Sequence, residues 1–190
     1  PGTPFGDVIL FQKMLKLENA DVSDEGLTLH RNWLKRVYEI AASDDNDDSL
    51  ANEIRSLFAE LSESEKAVLG KTTDSVEGEI AFCVAPWRRY AFQYDPQATL
   101  MQVKCPVLAI NGEKDMQVPS QQNLAGIRAA LDACDNQRFL TKELKGLNHL
   151  FQTAVTGEES EYSTIDETIS PDAMLIISDW IKSHSDCGST

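Results

Sequence analysis

The chain has 190 residues, of which 42% are hydrophobic and 25% charged, enough for one ordinary core or for a small core with a helical annexe. Seventeen Lys and Arg against 31 Asp and Glu give a net charge of −14 at pH 7. This charge opposes binding to nucleic-acid phosphates and to anionic membrane surfaces, so neither partner is expected. No apolar run approaches the roughly 20 residues that a membrane-spanning helix needs.

The start of the chain and its cysteines leave the compartment open. The first residues, 1–6, lack the basic region and the apolar core of a signal peptide, and the first residue is not Met. A processed product or a piece of a longer protein is therefore predicted. The four cysteines form no C-x-x-C pair and have no histidines at metal spacing, which predicts reduced thiols and no metal or other cofactor. They are Cys83, Cys105, Cys134 and Cys187, and the first two are expected in the core.

The first hundred residues have a helical pattern. Between Leu27 and Ala41, apolar residues recur every three to four positions, and Ser23 and Asp24 precede them as cap candidates. Ser62 and Glu65 match a capping box, which predicts another helix start. The sequence thus predicts helices over 27–41, 50–61, 62–69, 74–83 and 87–94, with Pro86 beginning the last of these.

The pattern changes at Val103, where a short apolar run to Gly112 predicts a strand that is buried on both faces. A helix over Ser120–Ala133, a strand over 138–144 and a helix over Pro171–His184 are predicted to follow. Ser120 is expected to cap its helix rather than to act as a nucleophile. Strand, helix, strand, helix predicts an α/β fold with two parallel strands. The last helix is expected to turn four apolar residues inward: Leu175, Ile176, Trp180 and Ile181.

Two residues carry the chemical prediction. Asp115 follows the first predicted strand and His149 follows the second, so both are expected at the same edge of the sheet. A carboxylate beside an imidazole fixes the tautomer of the ring and stabilises the imidazolium that forms when the ring accepts a proton. The order acid and then base also matches the chain order of α/β-hydrolases. The sequence therefore predicts the acid and the base of a catalytic triad.

The segments N-G-x-x-D-x-x-V-P at 111–119 and G-x-x-H-x-F at 146–151 resemble the C-terminal motifs of the α/β-hydrolase superfamily, nearest to bacterial esterases and serine-aminopeptidase-like hydrolases. Residues 86–96 and 1–4 are similar to other segments of those proteins. The resemblance implies a truncated α/β-hydrolase, with a helical cap or lid over 1–100 and the C-terminal part of the core over 101–190. It also suggests Trp87, Arg89 and Tyr90 as substrate-binding residues, with simple packing as the alternative for all three.

One departure from the family pattern limits this interpretation, because no serine or cysteine of the chain has glycine two residues away on both sides. The resemblance then implies a C-terminal fragment of a serine hydrolase that cleaves carboxylic esters, or amides or peptides. Its serine and most of its oxyanion hole would lie outside this sequence, and the chain alone would have little or no turnover. The alternative is a non-catalytic helical binding or interaction module derived from a hydrolase.

The resemblance has one more consequence, for the strand around Val107. In the parent fold this strand would have a neighbour on each side, so its outer edge is expected to be exposed and apolar here. Pairing with a second copy would cover that edge. The sequence therefore predicts a homodimer or a swapped oligomer.

Overall fold

The computed structural model describes residues 2–43 and 45–185, so Cys187 lies outside the described residues. The chain divides into two compact units. One spans residues 4–94, and the other combines the residues before Pro4 with those from Asp95 onward. The described part is mostly helical with a two-stranded parallel sheet, which is compatible with the α/β class. None of its helices is both long and apolar enough to cross a membrane.

The unit over residues 4–94, here called the helical unit, confirms the predicted helices and adds one before them. The sequence pattern did not predict this first helix, because its apolar residues lie all around the helix axis and do not form one apolar face. The helices are α1 (Phe5–Glu18), α2 (Asp24–Ala42), α3 (Asp47–Ala59), α4 (Glu63–Leu69), α5 (Thr73–Val84) and α6 (Pro86–Gln93).

The core of the helical unit is apolar, and α2 supplies the largest share of it. Val37, Leu50, Ile54 and Cys83 are fully buried there. The predicted capping box is present, since Ser62 accepts a hydrogen bond from the Glu65 amide and Glu65 accepts one from the Ser62 amide at 2.8 Å. Burial, and then the nearby charge of Glu79, raises the pKa of the Cys83 thiol to about 12, so this cysteine is an inert core residue.

The other unit, here called the sheet unit, contains the two strands. Strands β1 (Val107–Gly112) and β2 (Phe139–Leu144) are parallel, with Val107 opposite Phe139 and Gly112 opposite Leu144. The helix Ser120–Ala133 (α8) connects them, as predicted. The helices of this unit are α7 (Pro96–Leu100), α8 (Ser120–Ala133), a 3₁₀ turn (Glu159–Thr164) and α9 (Pro171–His184).

Four details of the sheet unit differ from expectation. Residues 107–110 of β1 are only half-buried, because β1 has a single strand neighbour in the described part of the chain. Cys105 is exposed, since it lies before the strand begins. Ser120 does not cap α8: it is the first residue of the helix, and its hydroxyl donates to Glu143.

On α9, Leu175 and Ile181 are 59% and 58% exposed, while Ala173 is buried and Ile176 packs on the small core.

Candidate acid–base site

The two residues singled out by the sequence, Asp115 and His149, meet at the carboxyl ends of the strands. Oδ2 of Asp115 lies 2.9 Å from Nδ1 of His149. The Asp115 side chain is only 5% exposed, whereas the His149 side chain is 35% exposed. The carboxyl group is thus enclosed by the protein, and the imidazole is accessible to a reactant.

The carboxylate of Asp115 is fully hydrogen-bonded. Its Oδ1 accepts from the backbone amides of Gln117 at 2.9 Å and Val118 at 2.8 Å, and its Oδ2 accepts from Nδ2 of Asn111 at 2.9 Å. Burial of a carboxylate is tolerable only with such partners. Because an ionised carboxylate can only accept hydrogen bonds, Nδ1 of His149 is the donor in their contact. The neutral ring then carries its lone pair on Nε2, which is the atom a general base uses.

A chain of buried amides continues behind Asp115. The Nδ2 group of Asn111 also donates to the carbonyl of Val118 at 3.1 Å, and its Oδ1 accepts from Nδ2 of Asn123 on α8. The Oδ1 of Asn123 in turn accepts from the backbone amide of Gly2. From the sequence, Asn111 was recognised only as part of the N-G-x-x-D segment, and Asn123 was not identified. The contact of Asn123 with Asn111 depends on how α8 packs, which the sequence does not indicate.

Gly112 lets the loop that carries His149 approach the end of β1. A Cβ atom at this position would lie 2.2 Å from the carbonyl oxygen of Leu147 and 2.6 Å from that of Asn148, far inside van der Waals contact. The amide of Lys114 donates to the same Leu147 carbonyl at 2.9 Å. The glycine of the N-G-x-x-D segment is therefore needed for the short distance between Asp115 and His149.

The His149 loop is organised around Asn148, which is fully buried. Its Oδ1 accepts from the amides of Leu150 at 3.0 Å and Gln152 at 2.9 Å, and its Nδ2 donates to Oε1 of Gln152 at 2.9 Å. Phe151 has a positive φ of 58°, which is an uncommon conformation for a bulky residue. The hydrogen bonds around Asn148 maintain this conformation. The imidazole thus projects from a loop with a fixed backbone.

A second loop, residues 153–161, is hydrogen-bonded to the turn that follows β1. The ammonium of Lys114 donates to the carbonyls of Ala154 and Val155, each at 2.7 Å. The carboxylate of Glu161 accepts from the amides of residues 155–157, the shortest of these bonds being 2.7 Å to Gly157. These backbone hydrogen bonds, first that of Gly157, lower the pKa of Glu161.

The three suggested substrate-binding residues lie on α6, in the helical unit, whereas Asp115 and His149 belong to the sheet unit. Trp87 and Tyr90 are 60% and 68% exposed. Arg89 is buried, and its guanidinium donates to backbone carbonyls at the end of α2 and in the loop to α3, and contacts Asp47 at 3.5 Å. The carbonyls are those of Ala41, Ser43 and Asp45. A substrate-binding role for these three residues stays a prediction.

Comparisons of the chain with protein-family models, curated proteins and solved structures found no match. Within residues 2–43 and 45–185, no group of three or more His, Cys, Asp or Glu side chains is arranged to hold a metal ion. The chemical interpretation therefore depends on the geometry around Asp115 and His149.

Proposed function

We propose that the chain is the C-terminal part of an α/β-hydrolase, in which Asp115 and His149 are the acid and base of a serine hydrolase for carboxylic esters, or for amides or peptides. The contact of 2.9 Å between Asp115 Oδ2 and His149 Nδ1 carries the proposal. It is supported by the enclosure of the acid, by the exposure of the base and by the position of both at the ends of parallel strands.

In this mechanism the nucleophilic hydroxyl comes from a serine outside this sequence. Nε2 of His149 takes the hydroxyl proton as the oxygen attacks the ester carbonyl, and then gives it to the leaving alkoxide as the C–O bond breaks. Nε2 next takes a proton from the water that attacks the acyl group, and it gives this proton to the serine oxygen as the bond to the acyl group breaks and the carboxylic acid leaves. Asp115 stays ionised and holds the ring throughout. No metal or organic cofactor takes part.

The test compares this chain with the product of the complete open reading frame that contains it. A fluorophosphonate probe and short-chain nitrophenyl esters report a reactive serine. We expect labelling and turnover only in the longer product, and a loss of roughly a thousandfold or more in kcat with His149→Gln or Asp115→Asn. His184→Gln is the matched control, because this histidine contacts the carbonyl of Trp180 on α9 and should leave activity unchanged.

Other outcomes would reject parts of this proposal. If neither product is labelled or hydrolyses esters, the chain is a non-catalytic binding or interaction module, the alternative that the missing G-x-S-x-G segment favours. If the probe labels the 190-residue chain on its own, the nucleophile lies within this sequence. If His149→Gln retains full activity in the longer product, the imidazole is not the base.

A further inference from the structure

The helical unit contains a groove of about 290 Å³ between α1, α2 and α5. Its apolar wall includes Phe82 and the ring of Tyr38, and its polar wall includes Lys13, Lys71 and Glu79. This combination of an apolar surface with a few convergent polar groups is typical of small-molecule sites. The groove lies within the helical unit and includes neither Asp115 nor His149.

The negative charge in the groove is already balanced by the protein. Oε2 of Glu79 accepts from Nζ of Lys71 at 2.8 Å and from Nε1 of Trp33 at 3.0 Å. Both members of the ion pair are only 14% exposed, and the Lys71 ammonium also lies 5.4 Å from the centre of the Trp33 ring. The pair is thus a fixed part of the wall, and it adds no net charge to the groove.

Two hydrogen-bond donors of the groove have no partner in the described part of the chain: the ammonium of Lys13 and the hydroxyl of Tyr38. Tyr38 as a whole is 6% exposed, so little of the side chain besides the part that lines the groove is accessible to a ligand. Burial, and then the charge of Glu79, raises the pKa of Tyr38, which keeps the hydroxyl protonated and able to donate. Because Glu79 is paired with Lys71, Lys13 carries the one uncompensated positive charge among the residues that line the groove.

We propose that this groove binds a small organic anion, a carboxylate or a phosphate monoester, whose acidic group accepts hydrogen bonds from Lys13 and Tyr38. An apolar body of the ligand would pack on Phe82 and on the Tyr38 ring. The volume of about 290 Å³ lies just below the roughly 300–1,000 Å³ range of small-molecule sites, which limits the body to about one aromatic ring. Gly78 lines the groove without a side chain, which leaves this space open.

The test is a titration of the full chain, followed by NMR, with benzoate and with phenyl phosphate as probes. We expect saturable shifts of the Gly78 and Phe82 amides and of the Trp33 indole N–H. The probe that binds more tightly identifies which acidic group the groove prefers. Tyr38→Phe should weaken binding about tenfold, as loss of a hydrogen bond to a charged group predicts. Lys13→Gln should weaken it less, since this lysine is exposed.

Lys16→Gln is the matched control, because Lys16 also lies exposed on α1 and does not line the groove. Benzylamine and benzyl alcohol test whether the groove requires an anionic ligand, and both should bind at least tenfold more weakly than benzoate. Absence of saturable shifts with either anion would overturn the proposal. So would equal affinity for benzylamine, or unchanged binding in Lys13→Gln, a surface variant that is expected to fold normally.

Discussion

The side-chain amide of Asn111 donates a hydrogen bond of 2.9 Å to Oδ2 of Asp115, the same oxygen that contacts His149. Asn111 is 4% exposed, and both residues come from the end of β1 or the turn after it. A second donor on this oxygen restricts rotation of the carboxylate, so that the oxygen remains aimed at the imidazole. Asn111 therefore helps to orient the Asp115 carboxylate and, through it, the His149 ring.

Asn111→Leu removes the bonds to Asp115 and Val118 and leaves the amide of Asn123 without its acceptor. Because these groups are buried, we expect the free energy of unfolding to fall by roughly 2–3 kcal/mol. We also expect a smaller fraction of the Nδ1–H tautomer of His149 in ¹⁵N NMR spectra. Asn52→Leu, at an exposed position on α3, is the control and should change neither quantity. An unchanged tautomer in Asn111→Leu would contradict the positioning role.

Gly112→Ala tests the contact between the two strand ends. The added Cβ atom would overlap backbone oxygens of Leu147 and Asn148, which cannot move without shifting the His149 loop. We expect a loss of more than about 2 kcal/mol in urea unfolding, in the range of overpacked sites. Gly78→Ala is the control, because its Cβ meets nothing within 4 Å on α5, and it should stabilise by about 0.5–1 kcal/mol. A tolerated Gly112→Ala would contradict the close approach.

The proximity of Asp115 and His149 was predictable because it depends on periodicity and on strand order. An apolar strand predicts where its carboxyl end lies, and two parallel strands bring their ends together whatever the details of packing. The buried partners of Asp115 were not predictable, since the contact of Asn123 with Asn111 requires the rotation of α8 about its axis. Arg89 illustrates the same limit: its acceptors are backbone carbonyls 44 to 48 residues away, which no residue pattern marks. The exposure of Leu175 and Ile181 shows that helical periodicity identifies an apolar face but not what covers it.

Arg89→Met separates a structural role of this arginine from a substrate-binding one. The substitution keeps most of the apolar stem and removes the donors to Ala41, Ser43 and Asp45. Because those carbonyls lose buried partners, we expect destabilisation of roughly 2–4 kcal/mol. Lys35→Met, at an exposed site on α2, should change stability by less than about 0.5 kcal/mol. Full stability of Arg89→Met would instead favour the substrate-binding role.

The edge of β1 that β2 does not occupy gives a prediction about assembly. Backbone groups at an open strand edge can pair with another chain, and the half-buried side chains of residues 107–110 would gain burial from such pairing. We expect light scattering at micromolar concentration to give the mass of a dimer. The odd-numbered amides of β1 face β2, as the bond from Val107 to the carbonyl of Arg138 shows. Leu108→Pro therefore removes a backbone donor from the unpaired edge and should shift the chain toward monomer. Gly78→Ala again serves as a control, and a monomeric mass of the unaltered chain would contradict the prediction.

The loop over residues 153–161 should respond to acid through Glu161. The pKa of this carboxyl is lowered in the folded chain, so its stabilising effect is fully present above the unfolded value of 4.5 and is lost as the pH falls through the lower folded value. Protonation weakens the bonds from residues 155–157. We expect the Gly157 amide resonance to titrate below pH 4.5, and Glu161→Gln to abolish that titration. Glu159→Gln should retain it, and a Gly157 resonance that does not move in the unaltered chain would show that Glu161 does not hold this loop.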